Sequence, residues 1–251
     1  MRFSKRTSWA LALCVLGGAS SSIASAQDEQ ATRMKAALAS PDRPQADKDR
    51  DAARKPIESV QFVGIKTGQT VLEVVAVGGW FTEVLSAAVG PKGKVVAQNP
   101  TFFTTRPGFA EGEKARDDRL KNVTPIHGDI PDAKINGTAD AALTALNLHD
   151  IYNGPGGEAA ALALCKGVFD ALKPGAPFGV IDHVGIAGQD NAKMHRIQLQ
   201  QARDVLTKAG FKIDAESDIL KNPADDHTKP VFDPSLGRHT DQFLIRAVKP
   251  K

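Results

Sequence analysis

The stretch VLEVVAVGGWFTEVL, residues 71 to 85, constrains this chain more than any other. Its apolar run, Val71 to Val77, has the length of a buried strand and falls short of a core helix. Gly78 and Gly79 permit a tight turn, after which Phe81, Val84, Leu85 and Ala88 recur at the spacing of one helix face. A strand, a glycine turn and a helix make the opening unit of a doubly wound α/β sheet. In such sheets the first turn is where nucleotide-like ligands are received.

The rest of the chain keeps that alternation. Strands are predicted at 94–98, 123–126, 139–145, 178–181, 211–215 and 242–248, with helices at 111–120, 157–172 and 192–209 between them. Lys173-Pro174-Gly175 closes the helix that precedes the strand at 178–181. No internal repeat is present. Alternation throughout predicts an α/β fold, a Rossmann-like three-layer sandwich whose sheet is mostly parallel.

With 251 residues, of which 41% are hydrophobic and 24% charged, the chain fits one sizeable globular domain. Its formal charge of +3 comes from Arg2, Lys5 and Arg6; without them, 29 basic residues face 29 acidic ones. That balance predicts neither a nucleic-acid nor a membrane partner. Residues 1–26 read as an export signal: three basic residues, the apolar run Trp9 to Leu16, and Ala24-Ser25-Ala26 before Gln27. The apolar run is shorter than the ~20 residues of a membrane-spanning helix. A periplasmic or secreted protein is therefore expected, with a polar helical segment at 27–56 and the main domain at 57–251. Residues 31–39 should form a short helix, and the run ADKDRDAARKP, stopped by Pro56, a solvated helix beside the domain. Cys165 is the one cysteine left after the signal, and Leu162, Phe169 and Leu172 on its helix face mark it as a core residue.

Ligands of open α/β sheets bind beyond the carboxyl ends of the strands. The residues there are Gly78 and Gly79 with Glu73 in the strand before them, Asn99, His127-Gly128-Asp129, and Asn147, His149, Asp150, Tyr152 and Asn153. Asp182 and His183 follow the strand at 178–181. His149 and then His183 are the first candidates for a general base, because imidazole titrates near neutral pH. Tyr152 could position a substrate. A cation held by Asn147, Asp150, Asp182 and His183 is the second chemistry these positions suggest, although no tight metal signature such as HExxH occurs and no metal is assigned. Asp225-Asp226-His227 reads as a solvated loop cluster, and His195 as a partly buried histidine on a helix face with Leu199, Ala202 and Leu206.

From residue 57 to the end, the chain resembles the class I S-adenosylmethionine-dependent methyltransferases. The resemblance is carried by VLEVVAVGGW, KVVAQNP, HGD at 127–129, AALTALNLHD and ALKPGAPFGVID. RDAARKP and NPADDHT are similar to segments of a little-characterised bacterial group of predicted methyltransferases. The resemblance implies seven strands, the last antiparallel, with S-adenosyl-L-methionine as cofactor and a small-molecule acceptor. It places Gly78 and Gly79 under the methionine part of the cofactor and Glu73 at its amino end. Asn99 stands at the ribose hydroxyls, Asp129 at the adenine amino group, and Asn147, His149 and Asp150 at the edge where acceptor and base face the methyl group.

Three residues depart from the family's pattern. Val75 and Val77 stand where it has glycines, and Asn99 lacks the charge of the usual acidic residue. An export signal also conflicts with a cofactor made in the cytoplasm. The alternative is an exported, non-catalytic ligand-binding or interaction protein on the same fold.

Overall fold

The computed structural model describes residues 18–251, so residues 1–17 of the expected signal lie outside the described residues. Seven strands build one sheet: β1 (Thr70–Val74), β2 (Lys94–Asn99), β3 (Val123–His127), β4 (Ala141–Ala145), β5 (Pro177–His183), β6 (Lys212–Ser217) and β7 (Gln242–Val248). They lie in the order β3-β2-β1-β4-β5-β7-β6. Strand β7 runs antiparallel to β5 and β6, and the other pairings are parallel. This is the expected Rossmann-like sandwich with its last strand antiparallel. The order reverses between β1 and β4, which opens a crevice at their carboxyl ends.

Side chains that alternate along the strands divide the core into two layers. Leu72, Val74, Phe178, Val180 and Ile245 pack on one face with Val168 and Cys165 of the helix Gly157–Ala171. Val71, Leu143, Ile181 and Leu244 pack on the other with Leu85 and Val89 of the helix Trp80–Val89. Cys165 is free and buried, and burial pushes its thiol up to about 12, which makes it an inert core residue. Pro125 sits in β3, an edge strand, where a missing N–H costs no ladder bond.

The N-terminal segment is more deeply built in than its polar composition predicts. One helix runs Gly18–Leu38, exposed at 24–29 and docked from Gln30 onward. Gln30 Nε2 donates to the carbonyls of Ile65 and Ala88 at 3.0 Å, and Met34 and Leu38 enter the second core layer. The run expected as one solvated helix forms two single turns, Gln45–Lys48 and Asp51–Arg54. Arg43, its side chain 1% exposed, ties them down by pairing with Asp51 and, at 3.5 Å, with Glu83. Pro56 ends that run and opens the helix Pro56–Val63, at whose first turn a missing N–H is tolerated.

The helix expected at 192–209 is broken. A short turn, Asn191–Met194, ends at His195 with φ +53°, and the helix Leu199–Lys208 follows. Between them Ile197 pairs with Val184, donating to His183 O at 3.1 Å and accepting from Gly185 N–H at 2.9 Å. Those extended-chain bonds pull 195–197 out of helical geometry, so His195 shares no helix face with Leu199.

Candidate functional site

Beyond β1 the backbone turns left-handed at Val75 (φ +58°), Val77 (φ +46°) and Gly79 (φ +75°). Leu146, just past β4, does the same at φ +60°. Valine is a true outlier in that region, at a cost of about 1–3 kcal/mol per residue, and it persists only where surroundings fix it. Here three carboxamides fix it. Gln98 Oε1 accepts from Val75 N–H at 3.1 Å, and Asn99 Oδ1 accepts from Val77 N–H at 2.7 Å. Asn147 Nδ2 donates to Val75 O at 2.9 Å and Ala145 O at 2.6 Å, lacing the two turns together.

The strained residues line one cavity of about 150 Å³, with Glu73, Gly78 and Asn147. Arg50 and Arg54 of the N-terminal segment complete its wall. Trp80 anchors that segment by donating from Nε1 to Asp47 O at 2.9 Å, and the Arg54 guanidinium lies 4.7 Å above the indole. Burial, with Arg50 alongside, lowers Arg54 to about 10, which leaves it charged at neutral pH. Gly78 is exposed, and a side chain there would meet open space. Gly79 instead backs onto protein, since a Cβ would stand 2.2 Å from Nη1 of the buried Arg116. Asn99 is fully buried, and its Nδ2 has no partner. Glu73 accepts from Thr82 Oγ1 at 2.6 Å; burial raises its carboxyl to about 7 against the pull of Thr82 and Arg116. Asp129 is exposed beside a separate apolar cavity of about 330 Å³ formed with Pro100, Ile130 and Leu164. Arg50, Arg54 and Arg116 were not singled out by sequence reasoning, because each lies in a charged run with no spacing that marks it.

At the ends of β4 and β5, Asp182 is fully buried and organises both histidines. Its carboxylate accepts from His149 N–H at 2.8 Å, from the His149 Nδ1 edge at 2.7 Å and from His183 N–H at 2.7 Å. His149 Nε2 lies 3.2 Å from Asp150 Oδ1 without the alignment of a hydrogen bond, and is left buried and unpartnered. Asp150 Oδ1 also meets His195 Nδ1 at 2.9 Å. Burial alone would lower the His149 imidazole; Asp182 and Asp150 outweigh it and raise the ring to about 10. That shift favours the protonated ring, which suits His149 to donating a hydrogen bond more than to accepting a proton. His183 goes the other way, to about 3, because burial dominates; its Nδ1 meets Thr240 Oγ1 at 2.6 Å. Tyr152 packs half-buried against the core.

The four residues suggested for a cation do not converge, because Asn147 is turned to backbone carbonyls and Asp182 is taken up by His149 and His183. Three donors that do converge are those of His149, Asp150 and His195, all within 4.8 Å of one another. The loop read as solvated is also rooted in the interior. Asp225, 2% exposed, accepts from both terminal nitrogens of Arg196 at 2.9 and 3.0 Å, and Arg196 is 0% exposed.

No family model and no curated protein matches the chain. Solved structures do match it. A SAM-dependent methyltransferase from Aquifex aeolicus superposes with a TM-score of 0.58 at 20% identity, over 86% of this chain and 97% of that one. The cyclase SpnF gives 0.58 at 19% identity, over 79% of this chain and 81% of that one. An exported-protein candidate from Bordetella parapertussis gives 0.53 at 16% identity, over 80% and 68%. The fold is that of the class I methyltransferases. At such identities it does not fix the reaction, and one host of this fold is a cyclase.

Proposed function

We propose that this chain is an exported S-adenosylmethionine-dependent methyltransferase acting on a small-molecule acceptor. One observation carries the reading: three non-glycine residues, Val75, Val77 and Leu146, hold left-handed backbone around one cavity at the sheet's switch point. Strain of that kind collects at ligand sites, where it preserves a shape the ligand needs. Glu73 would face the cofactor's amino group, and Arg50 and Arg54 would face its carboxylate. The Gly78 backbone would run beneath the chain between them. Asn99 Nδ2, a buried donor without a partner, would meet a ribose hydroxyl, and Asp129 the adenine amino group.

The cofactor supplies an electrophilic methyl on a sulfonium; the protein aligns the acceptor with it and manages the acceptor's proton. The acceptor would sit at the β4–β5 edge, before His149, Asp150, His183 and Tyr152. A cavity of about 150 Å³ is below the ~300 Å³ at which small-molecule sites begin. Full occupancy therefore requires the long side chains of Arg50 and Arg54 to give way. That small volume is also what favours the second reading, a non-catalytic binding protein on this fold.

Calorimetry with S-adenosylmethionine and S-adenosylhomocysteine separates the readings. Binding is expected, and it should tighten from about pH 6 to about pH 8, because Glu73 must ionise to hold an ammonium and its carboxyl stands near 7. No heat at millimolar ligand would sink the methyltransferase reading. His149→Ala should preserve binding and reduce turnover.

Export fits the docking of the first helix. Among the described residues, 24–29 are exposed and the tertiary side-chain hydrogen bonds of this helix begin at Gln30, so cleavage after Ala26 would leave the contacts of Gln30, Met34 and Leu38 in place. N-terminal sequencing of protein recovered outside the cytoplasm should read Gln27. A start before Gly18 would mean that the segment is not removed.

A further inference from the structure

We propose that His149 Nε2, the Asp150 carboxylate and His195 Nδ1 form a site for one divalent transition-metal ion. The three donors lie within 4.8 Å of one another, with Asp150 Oδ1 at 3.2 Å from His149 Nε2 and 2.9 Å from His195 Nδ1. A tetrahedral ion with bonds of about 2.0–2.2 Å holds its ligand atoms roughly 3.3–3.6 Å apart, so sub-ångström shifts would admit one.

One feature points to a ligand at this place: His149, 3% exposed, has a buried Nε2 that lacks a hydrogen-bond partner although a carboxylate oxygen is 3.2 Å away. A buried polar atom in that condition calls for a missing partner. Its other nitrogen meets Asp182, itself 0% exposed, at 2.7 Å. A carboxylate behind a histidine fixes the ring and its tautomer, which leaves Nε2 as the ligating atom; this is the arrangement found behind metal-bound imidazoles. The break at His195, set by the bridge between Ile197 and Val184, supplies the third donor. Its left-handed φ of +53° ends the turn Asn191–Met194 and brings the ring against Asp150. On the unbroken helix expected from sequence, His195 would have faced Leu199 instead.

Two imidazoles and one carboxylate suit zinc or ferrous iron better than magnesium or calcium, which prefer oxygen donors. Three protein ligands leave positions open for water or a substrate oxygen. The Asp150 side chain is 42% exposed, which gives an ion a path in, and Phe232, 69% exposed, stands edge-on to the His195 ring at 4.8 Å as a partial cover. The inference does not rest on methyl transfer.

The test is titration of chelator-treated protein with zinc by calorimetry, with cobalt as a spectroscopic substitute. One zinc per chain is expected, together with visible cobalt d–d bands of low-coordinate N/O ligation. His195→Ala, a change at a partly exposed side chain, should abolish the stoichiometric site while the fold stays intact by circular dichroism. Asp182→Asn should weaken zinc by about 10–100-fold, the usual cost of losing such a supporting carboxylate. His239→Ala, which removes an exposed histidine outside the cluster, should leave zinc binding unchanged. No stoichiometric zinc, or the same zinc affinity in His195→Ala, would overturn the site. Cofactor calorimetry on the same samples keeps the two proposals apart: zinc without S-adenosylmethionine binding sinks only the methyltransferase reading, and the reverse sinks only the metal site.

Discussion

Gly79→Val is expected to abolish cofactor binding and to lower stability by about 2–4 kcal/mol, a combination of two costs. Gly79 holds φ +75°, and a β-branched residue forced there costs about 1–3 kcal/mol. The new Cβ would also stand 2.2 Å from Arg116 Nη1 and 2.7 Å from its Cδ, and Arg116 is 5% exposed with little room to retreat. Displacing that guanidinium removes a positive charge that helps to ionise Glu73 and distorts the cavity wall beside it. Thermal melts should show a fall of several degrees, and calorimetry no heat with S-adenosylmethionine. Undiminished binding in a folded variant would mean that the cofactor sits at another turn. Gly78→Ala makes the contrast, because the added methyl enters open space and should weaken binding without costing the fold.

Asp225→Ala should be among the most damaging single changes outside the sheet, at about 3–5 kcal/mol. Removing one member of a buried ion pair leaves the other charged and unsolvated. Arg196, 0% exposed, would lose both of its bonds to the carboxylate, at 2.9 and 3.0 Å. The N–H groups of Asp241 at 2.8 Å and His227 at 3.0 Å would lose their acceptor as well. For a domain of this size that is a Tm drop of roughly 8–15 °C. Asp226, the next residue, is exposed and bonds only within its own turn to Thr228, so Asp226→Ala should shift stability by about 0.5 kcal/mol. Equal losses in the two variants would contradict the buried pairing. Because Arg196 adjoins His195, Asp225→Ala should also loosen the histidine that faces Asp150.

Strand alternation and the glycine turn were legible because both are local. The strand expected at 242–248 is β7 without a residue's change, and the turn after β1 lies where Gly78 and Gly79 put it. The conformation of Val75 and Val77 was not legible. Valine disfavours left-handed backbone, and the force that imposes it comes from Gln98, Asn99 and Asn147, which lie 22 to 72 positions away in sequence. His195 was misplaced for a related reason: local apolar spacing favours one helix over 192–209, whereas the bridge to β5 and the buried Arg196–Asp225 pair override it.

The sequence alone determined the layered α/β sheet, its order of elements and the edge at which polar residues gather, since hydrophobic periodicity and turn chemistry act over a few residues. The tertiary structure decided which polar residues meet. It turned Asp225 from a loop residue into a buried anchor, brought Arg50 and Arg54 over the glycine turn, and gathered His149, Asp150 and His195 into one cluster. Burial and long-range pairing set those outcomes, and neither is written in the spacing of neighbouring residues.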